Sequence, residues 1–239
     1  MNFDILITII FTSIFQSIFG TGVLLFGTPI LLILGNNFQT TLIILLPTSV
    51  LINFFQISNN YKTIDQGFYK NLVFFCLPTI VLSLYFSHLS TININILIGI
   101  FLIIISLQFN VRIIKGILKC LLQYEIFYLI IMGVLHGLTN LGGSLLSAGV
   151  LSKDLTKDSK RSTIAISYFS MGVIQIITLV VAIGFYIFLN KNYFLYWATG
   201  PAIFFLVEKY LYYTIDEKMY KNISSIFLFI MGLILIMKS

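Results

Sequence analysis

Charged residues are scarce in this sequence. Asp, Glu, Lys and Arg make up only 9% of its 239 residues, whereas 59% of the residues are hydrophobic, and the mean hydropathy is +1.03. Soluble globular domains carry about 25% charged residues, so this composition excludes an ordinary soluble domain. It predicts an integral membrane protein.

Acidic residues are missing from the middle of every long apolar stretch. Asp4 and Glu125 lie at the ends of such stretches, and the other acidic residues lie in the segments that connect one stretch to the next. This excludes a carboxylate proton relay, because such relays place Asp or Glu within the spans. The two cysteines have no metal or redox spacing, and no nucleophile elbow or phosphate-binding loop is present. We therefore predict no enzyme activity, no catalytic residue, no metal and no cofactor.

Long apolar runs recur along the whole chain. A helix that crosses about 30 Å of hydrocarbon needs about 20 residues, and runs close to this length predict six transmembrane helices. The predicted spans are residues 39–57, 70–88, 92–109, 163–189, 192–207 and 223–237.

Two further apolar segments, 3–35 and 125–151, are interrupted by glycine and polar residues. Lysine and arginine concentrate in short cytoplasmic loops. All 14 of them except Lys191 and Lys238 share one side only if segment 125–151 enters and leaves the membrane on that side. About 27 helical residues extend roughly 40 Å, which is too short to cross and return. Each segment is therefore predicted to be a re-entrant hairpin that turns near the midplane, and segment 3–35 opens on the other side.

The chain divides into two similar halves. Residues 1–109 contain hairpin 3–35 and the first three spans, and residues 125–239 contain hairpin 125–151 and the last three. Residues 110–124 form an amphipathic connector between them. Three spans per half invert the second half relative to the first. The predicted fold is an all-α polytopic membrane protein made of two inverted repeats, each a glycine-broken re-entrant hairpin plus three transmembrane helices.

The hairpin turns are predicted at residues 20–22 and 140–143, where glycine permits positive φ and close backbone approach. Pro29 suits the first turn of the returning helix. A reversal within the membrane must be enclosed by protein or line a wet cavity. The returning helices would then point their N-terminal N–H groups into the centre of the protein, and such groups attract anions. We expect Gly99 and Gly232, in ordinary spans, to tolerate a side chain better than the turn glycines.

Polar side chains cluster around the two breaks and predict a substrate site there. Each hydroxyl could instead bond its own helix, and each amide could join two helices. His136 has a functional and a structural interpretation, and the sequence leaves both open. No lysine or arginine is expected at the site, which favours a weakly held ion. The candidate substrate-binding residues are Gly20, Thr21, Gly22, Thr28, Pro29, Thr48, Ser49, Asn53, Gln56, His136, Asn140, Gly142, Gly143, Ser144, Ser147, Ser167 and Gln175.

Two stretches carry a family resemblance. FGTGVLLFGTPILLILG, followed by PTS, resembles the glycine-rich opening motif of the sulfite exporter TauE/SafE family, also called the TSUP permeases, and MGVLHGLTNLGGSLLSAGVL resembles its second copy. The resemblance covers both halves of the chain. It implies the movement, typically outward, of a small sulfur anion such as sulfite or a sulfonate.

Together these features predict a secondary permease or exporter of a small anion, a sulfite-like oxyanion or sulfonate, held at the midplane between the two hairpin tips. Two alternatives stay open: a membrane subunit that recruits a cytoplasmic partner, such as a coupling ATPase, through loop 152–161, and a passive anion channel. The expected partners are the anion and the lipid bilayer. The net charge of +6 is divided among short loops, so no nucleic acid is expected, and a homodimer stays open.

The expected location is the inner (plasma) membrane. Loops 58–70, 110–125, 152–161 and 208–222 are predicted to be cytoplasmic, because they hold nearly all of the lysines and arginines.

Overall fold

The computed structural model describes the backbone of residues 2–89, 93–108, 111–214 and 217–239, and their side chains except those of residues 18–19, 58–60, 209 and 211–221. These residues form helices and no strand. The helices are α1 (Phe3–Phe19), α2 (Val23–Ile33), α3 (Phe38–Asn60), α4 (Gln66–Asn71), α5 (Leu77–Leu89), α6 (Ile94–Leu107), α7 (Arg112–Gln123), α8 (Glu125–Thr139), α9 (Gly143–Leu151), α10 (Lys157–Ile183), α11 (Lys191–Thr214) and α12 (Glu217–Lys238). A π-helical segment, Leu72–Cys76, joins α4 to α5.

Several helices match the thickness of a membrane. Phe38–Ile57, Gln66–Leu89 and Lys157–Ile183 are each long and apolar enough to cross one. By contrast, α7 lies at 96° to α6 and buries none of its residues. Its exposed apolar side chains include Ile113 and Ile117, as expected of an amphipathic helix on a membrane surface. The prediction of an all-α polytopic membrane protein is confirmed.

One predicted span extends past the C-terminal end of the helix that forms. The span predicted at 163–189 corresponds to α10, which ends at Ile183. Gly184 follows with a φ of 107°, a conformation that favours glycine, and a short 3₁₀ turn occupies Phe185–Phe188. The apolar run continues past this glycine, so hydropathy alone overshoots the end of the helix.

Parts of several predicted segments lie outside the described residues, including residue 110 of the connector 110–124. Residues 92 and 109, the two ends of span 92–109, are among them. So are the side chains of Lys209, Lys218 and Lys221 in loop 208–222.

The two ends of hairpin α8–α9 meet. Glu125, at the start of α8, forms a salt bridge of 2.8 Å with Lys153, which follows α9. Asn2 and Asn36 flank hairpin α1–α2, and they line one cleft together with Asn190 and Asn192. Each hairpin therefore begins and ends at one end of the molecule, and the two hairpins open at opposite ends. We call the end with Glu125 and Lys153 the basic end and the end with the four asparagines the asparagine end.

Ion pairs hold the loops of the basic end together. Lys153 contacts Asp65 at 3.1 Å as well as Glu125, and Arg161 contacts Glu208 at 2.7 Å. Burial alone would raise the pKa of Asp65, but hydrogen bonds from the Phe68 N–H and from Lys153 outweigh it and hold that pKa below its ordinary value. The loops that the lysine and arginine count assigns to one side thus meet at one end. Which face of the membrane this end occupies stays a prediction.

Helix packing repeats between the two halves. Hairpin helix α1 packs on α11, and hairpin helix α8 packs on α5. Helix α3 packs on its equivalent in the second half, α10, and α6 packs on its equivalent, α12. Exchanging the two halves therefore maps this pattern of contacts onto itself. The inverted relation and the boundaries at 109 and 125 stay predictions that this pattern favours.

The contact between α6 and α12 depends on two glycines. A Cβ added at Gly99 would lie 3.0 Å from the Gly232 carbonyl oxygen and 2.7 Å from Ile236 Cγ1. A Cβ at Gly232 would lie 2.8 Å from the Gly99 carbonyl oxygen. These glycines therefore allow two helices to approach closely, and a side chain at either would require a shift. That such a change is milder than one at the turn glycines stays a prediction.

Candidate functional site

The first hairpin turns at residues 20–22. Gly20 caps the C-terminus of α1 with a φ of 77°, and its N–H donates to the Gln16 carbonyl at 2.9 Å. Gly22 has an extended φ of −164°, but a Cβ there would lie 2.4 Å from the Gln16 backbone nitrogen. Gly20 is thus needed for its conformation, whereas Gly22 is needed for close approach to α1.

The second hairpin turns in the same way on different residues. Asn140 caps α8 with a φ of 63°, and its N–H donates to the His136 carbonyl at 2.7 Å. Gly142 has an ordinary φ of −59°. The prediction that glycine supplies the positive φ of this turn is therefore wrong, because Asn140 supplies it. Gly142 and Gly143 provide space: a Cβ at Gly143 would lie 2.6 Å from Tyr168 Oη.

A buried side chain caps the returning helix in each hairpin. Gln16 Oε1 accepts a hydrogen bond of 2.9 Å from the Val23 N–H at the start of α2. His136 Nδ1 accepts one of 3.0 Å from the Gly142 N–H just before α9. Since Nδ1 accepts, a neutral His136 carries its proton on Nε2. Gln16 and His136 stand at the same place in their hairpins, four residues before the left-handed caps Gly20 and Asn140.

Each returning helix keeps backbone donors beyond these caps. A helix leaves its first four N–H groups without a partner inside the helix. Among the described residues, no acceptor contacts the N–H groups of Leu24 and Leu25 in α2, or those of Gly143 and Leu145 in α9. These four donors are in the first turns of two oppositely directed helices. They form a partly positive environment at each hairpin turn.

The two hairpins overlap side by side. Thr21 Oγ and Ser147 Oγ are 3.0 Å apart, and Asn140 Nδ2 donates to Thr28 Oγ at 3.0 Å. The turn of each hairpin therefore contacts the returning helix of the other. Five residues separate Val23, at the start of α2, from Thr28, so the tips pass one another by about 8 Å at 1.5 Å per residue. The tips therefore lie beside each other, and the placement of an anion between them stays a prediction.

Helix α3 surrounds the first tip with amide and hydroxyl groups. Gln16 Nε2 donates to the Ser49 carbonyl at 3.2 Å and to Ser49 Oγ at 3.1 Å. Asn53 Nδ2 lies 3.4 Å from Ser49 Oγ, and Gln56 Nε2 donates to the Gln16 carbonyl at 3.2 Å. These candidate residues are therefore brought together around Gln16.

Helix α10 supplies the matching wall of the second tip. The Gln175 amide lies against the His136 ring without a hydrogen bond of normal geometry. The Tyr168 ring centroid is 5.9 Å from that of His136. Ser167, the neighbour of Tyr168, is fully buried. Gln56 on α3 and Gln175 on α10 thus approach Gln16 and His136, the capping residues of the two hairpins.

Three candidate residues have local roles instead. Thr48 Oγ donates to the Ile44 carbonyl at 3.1 Å, within its own helix, and Ser144 Oγ donates to the Leu141 carbonyl at 3.0 Å. Pro29 lies inside α2 rather than in its first turn, because α2 begins at Val23. The prediction of a first-turn proline is wrong. Pro29 has no N–H to donate to the Leu25 carbonyl, so that backbone acceptor loses its partner within the helix.

Several buried polar atoms at the hairpins have no hydrogen-bond partner among the described residues. Buried polar atoms usually have one, so a cluster without partners marks a place where a ligand or water can bind. The atoms are Asn53 Oδ1, Gln56 Oε1, His136 Nε2, Asn140 Oδ1, Ser167 Oγ and both amide atoms of Gln175. No group of side chains suited to hold a metal occurs in the described part of the chain. The arrangement offers neutral donors and acceptors to a small polar ion.

Three residues near the tips were not predicted from the sequence. Gln16 was overlooked although it is an amide within an apolar segment, and such an amide needs partners. Tyr168 gave no signal, since aromatic residues are common throughout the chain. Arg161 was counted only as a loop cation, yet its side chain is 13% exposed. It donates to the Ser17 carbonyl near the first tip at 3.2 Å. An arginine therefore lies near the first tip, and the absence of a lysine or arginine from the site itself stays a prediction.

The sequence is similar to a known family of membrane proteins. No curated protein and no solved structure matches the chain at a significant level. The family model described as "Sulfite exporter TauE/SafE" matches residues 5–235, a range that includes nearly all of both hairpins and of the helices around them. The chain therefore belongs to the sulfite exporter TauE/SafE family of membrane transporters.

Proposed function

We propose that this protein is a secondary exporter of a small sulfur-containing oxyanion or sulfonate. The anion would bind where the two hairpins overlap. The observation that carries the proposal is the set of buried polar atoms at the second tip that have no hydrogen bond of normal geometry within the described part of the chain, above all His136 Nε2 and the Gln175 amide. These groups can donate to an anion without carrying a charge of their own. Membership in the TauE/SafE family supports the choice of a sulfur anion.

Neutral binding groups suit a transporter, because it must release what it binds. A fully paired buried ion is held by several charge-assisted hydrogen bonds, which would slow its release. Here the donors are the Nε2–H of a neutral histidine, an amide, hydroxyl groups and the first-turn N–H groups of α2 and α9. The α2 and α9 donors come from oppositely directed helices, so neither direction of approach is favoured at the centre.

The inverted arrangement of the halves is the second part of the proposal. In transporters built this way, one half rocks against the other around a fixed central site. The exchange of packing partners between the halves, α1 on α11 and α8 on α5, supports such a pair of repeats. The basic end would face the cytoplasm, because it collects the lysines and arginines. The two hairpins contact each other within one chain, so the site does not require a second copy. A homodimer stays a prediction.

Recruitment of a cytoplasmic partner through loop 152–161 is the weaker alternative. Lys153 and Arg161, two of the four cations in this loop, are engaged by Asp65, Glu125 and Glu208 of the same chain. A docking surface would need these cations to be available. A passive channel is distinguished by its conductance, which would greatly exceed the turnover of a carrier.

Flux measurements on proteoliposomes loaded with sulfite test the proposal. With no acidic residue in the middle of the spans to carry protons, we expect net movement of the anion itself. A membrane potential, negative on the loaded side, should then accelerate efflux and support a concentration ratio of about fiftyfold per 100 mV for each charge, which corresponds to about 2.3 kcal/mol. Valinomycin and a potassium gradient set the potential. No flux of sulfite or of simple sulfonates, or flux that ignores the potential and follows a pH gradient, would contradict the proposal.

A further inference from the structure

Arg161 occupies an unusual position for a residue of a basic loop. It lies in the second turn of α10 with a side chain that is only 13% exposed. Its Nη2 donates to the Ser17 carbonyl at 3.2 Å and to Glu208 Oε1 at 2.7 Å. Ser17 is three residues before the first hairpin turn. A cation thus lies between the basic end and the tip of hairpin α1–α2.

The distance from Arg161 to the tip is about one helical turn. Ile164, three residues further along α10, lies 3.2 Å from where a Cβ of Gly20 would be. Gly20 lies three residues before α2, in which the N–H groups of Leu24 and Leu25 have no acceptor among the described residues. Arg161 is therefore the cation that lies beside this tip on the side of the basic end.

The surroundings of Arg161 contrast with those of Lys153, the other paired cation of the same loop. Lys153 is 28% exposed and contacts two carboxylates, Asp65 and Glu125. Arg161 is more buried, and Glu208 forms a salt bridge of 2.7 Å with it. An incoming anion that takes the place of the Glu208 carboxylate preserves the charge at that contact.

We propose that Arg161 is the entry site for the anion at the basic end, and that Glu208 is a competing internal anion that occupies this site when no substrate is present. The proposal rests on the proposed function and extends it to the substrate class. The planar guanidinium binds two oxygens of one group side by side, so it favours oxyanions with at least two terminal oxygens, such as sulfite and sulfonates, over chloride. Arrival of the anion releases the Glu208 carboxylate, and with it the link between α10 and α11.

A second interpretation treats the Arg161–Glu208 pair purely as a structural latch. The two interpretations predict different results for the two partners. A latch loses its function equally when either partner is replaced, and it recovers at least in part when both charges are removed together. An entry site behaves asymmetrically: loss of Arg161 weakens anion binding, whereas loss of the competing Glu208 charge strengthens it.

The experiment measures equilibrium binding of sulfite to the purified full-length protein in detergent, where both ends are accessible, with chloride as the comparison anion. The variants are Arg161→Gln, Arg161→Lys, Glu208→Gln and the double variant, with Lys153→Gln as the matched control for loss of an ion pair at the same end. We expect Arg161→Gln to raise the Kd for sulfite at least roughly tenfold, as for the loss of a charged hydrogen bond. Glu208→Gln should lower the Kd about threefold or more by the same reasoning, and Lys153→Gln should leave it within about twofold.

The double variant keeps the test decisive if Arg161→Gln alone does not fold, because it leaves no unpaired buried charge. We expect it to bind sulfite as weakly as Arg161→Gln does. Arg161→Lys should retain part of the affinity but lose discrimination against chloride. Wild-type affinity in the double variant, or weaker binding in Glu208→Gln, would overturn the entry site and leave the proposed function intact. No binding of sulfite or a sulfonate to the wild-type protein would instead refute the proposed function, and this inference with it.

Discussion

The histidine of the second hairpin provides a sharp test of what the hairpins require. His136 is fully buried, and its Nδ1 accepts a hydrogen bond from the Gly142 N–H at 3.0 Å. In the first hairpin a glutamine has the same task, since Gln16 Oε1 accepts from the Val23 N–H at 2.9 Å. The chain thus already contains an amide that caps a returning helix. The cap of each returning helix therefore needs an acceptor atom, and it does not need a side chain that titrates.

We therefore expect His136→Gln to retain folding and transport and His136→Leu to lose both in part. A glutamine carbonyl can accept from the Gly142 N–H as Gln16 does, whereas leucine has a similar size and no acceptor. A buried N–H without a partner costs about 1–3 kcal/mol. For a chain of this length, each kcal/mol corresponds to roughly 2–4 °C in the unfolding midpoint. The leucine variant should therefore unfold about 2–12 °C lower, and the glutamine variant within about 2 °C of wild type.

Thermal unfolding in detergent and sulfite efflux from proteoliposomes measure the two effects. Gln16→Leu serves as the matched variant in the first hairpin and should show a loss at least as large, because it removes the equivalent bond and also the bonds from Gln16 Nε2 to Ser49. Equal loss of transport in His136→Gln and His136→Leu, with a normal unfolding midpoint in the glutamine variant, would refute this reasoning. It would mean that the imidazole itself takes part in transport, for example by carrying a proton.

Three further predictions concern space, topology and charge. Gly143→Val should abolish sulfite efflux while the protein still inserts, because its Cβ would lie 2.6 Å from a tyrosine hydroxyl. Gly116→Val, with no atom within 4 Å of the added Cβ, should transport normally. Normal transport by both variants would show that Gly143 is dispensable. Single cysteines at positions 115 and 157 should react with an impermeant reagent from the same face, and labelling from opposite faces would contradict the hairpin. The pKa of Asp65 is lowered below 3.8, so its stabilising contribution should be complete above about pH 4 and lost as the pH falls through the lowered pKa. Asp65→Asn should therefore lower the unfolding midpoint by a constant amount above about pH 4 and converge with wild type below it, and a midpoint difference that does not change with pH would contradict this.

Features that depend on the amount of apolar sequence could be predicted. The spans around α3, α5 and α10 follow from apolar runs, and the existence of two hairpins follows from the distribution of lysine and arginine. Both signals are sums over many residues, so single errors matter little. The positions of Thr21, Asn140 and Ser147 near one another also follow, because polar groups cluster where a chain reverses inside a membrane.

Features that depend on depth could not be predicted in this way. Hydropathy reports how apolar a segment is, and it does not report how far the segment reaches. Helix α1 has 17 residues, about 25 Å at 1.5 Å per residue, and its tip lies beside α9, where Thr21 Oγ is 3.0 Å from Ser147 Oγ. For the same reason Arg161 was assigned to a solvated loop, although the long reach of α1 brings Ser17 next to it.

Capping could not be predicted because it depends on individual atoms. The sequence indicated glycine as the residue with positive φ in both turns, yet Asn140 has it in the second. Either residue satisfies the left-handed conformation, and composition cannot distinguish them. The position of Pro29 failed for a related reason, since the start of α2 is fixed by the Gln16 cap at Val23 and not by the proline.

The two ends of the molecule differ chemically at equivalent places, and this difference gives the repeats a direction. At the basic end a charged pair, Arg161 and Glu208, links α10 to α11. At the asparagine end a polar pair, Gln39 and His88, links α3 to α5, with Gln39 Nε2 and His88 Nδ1 2.7 Å apart. These are corresponding helices of the two halves. If Arg161 receives the anion as proposed, the site at the basic end attracts it by charge, whereas the pair at the asparagine end contains no arginine or lysine. An anion is then collected at one end and released at the other, which is the direction that a membrane potential negative at the basic end favours.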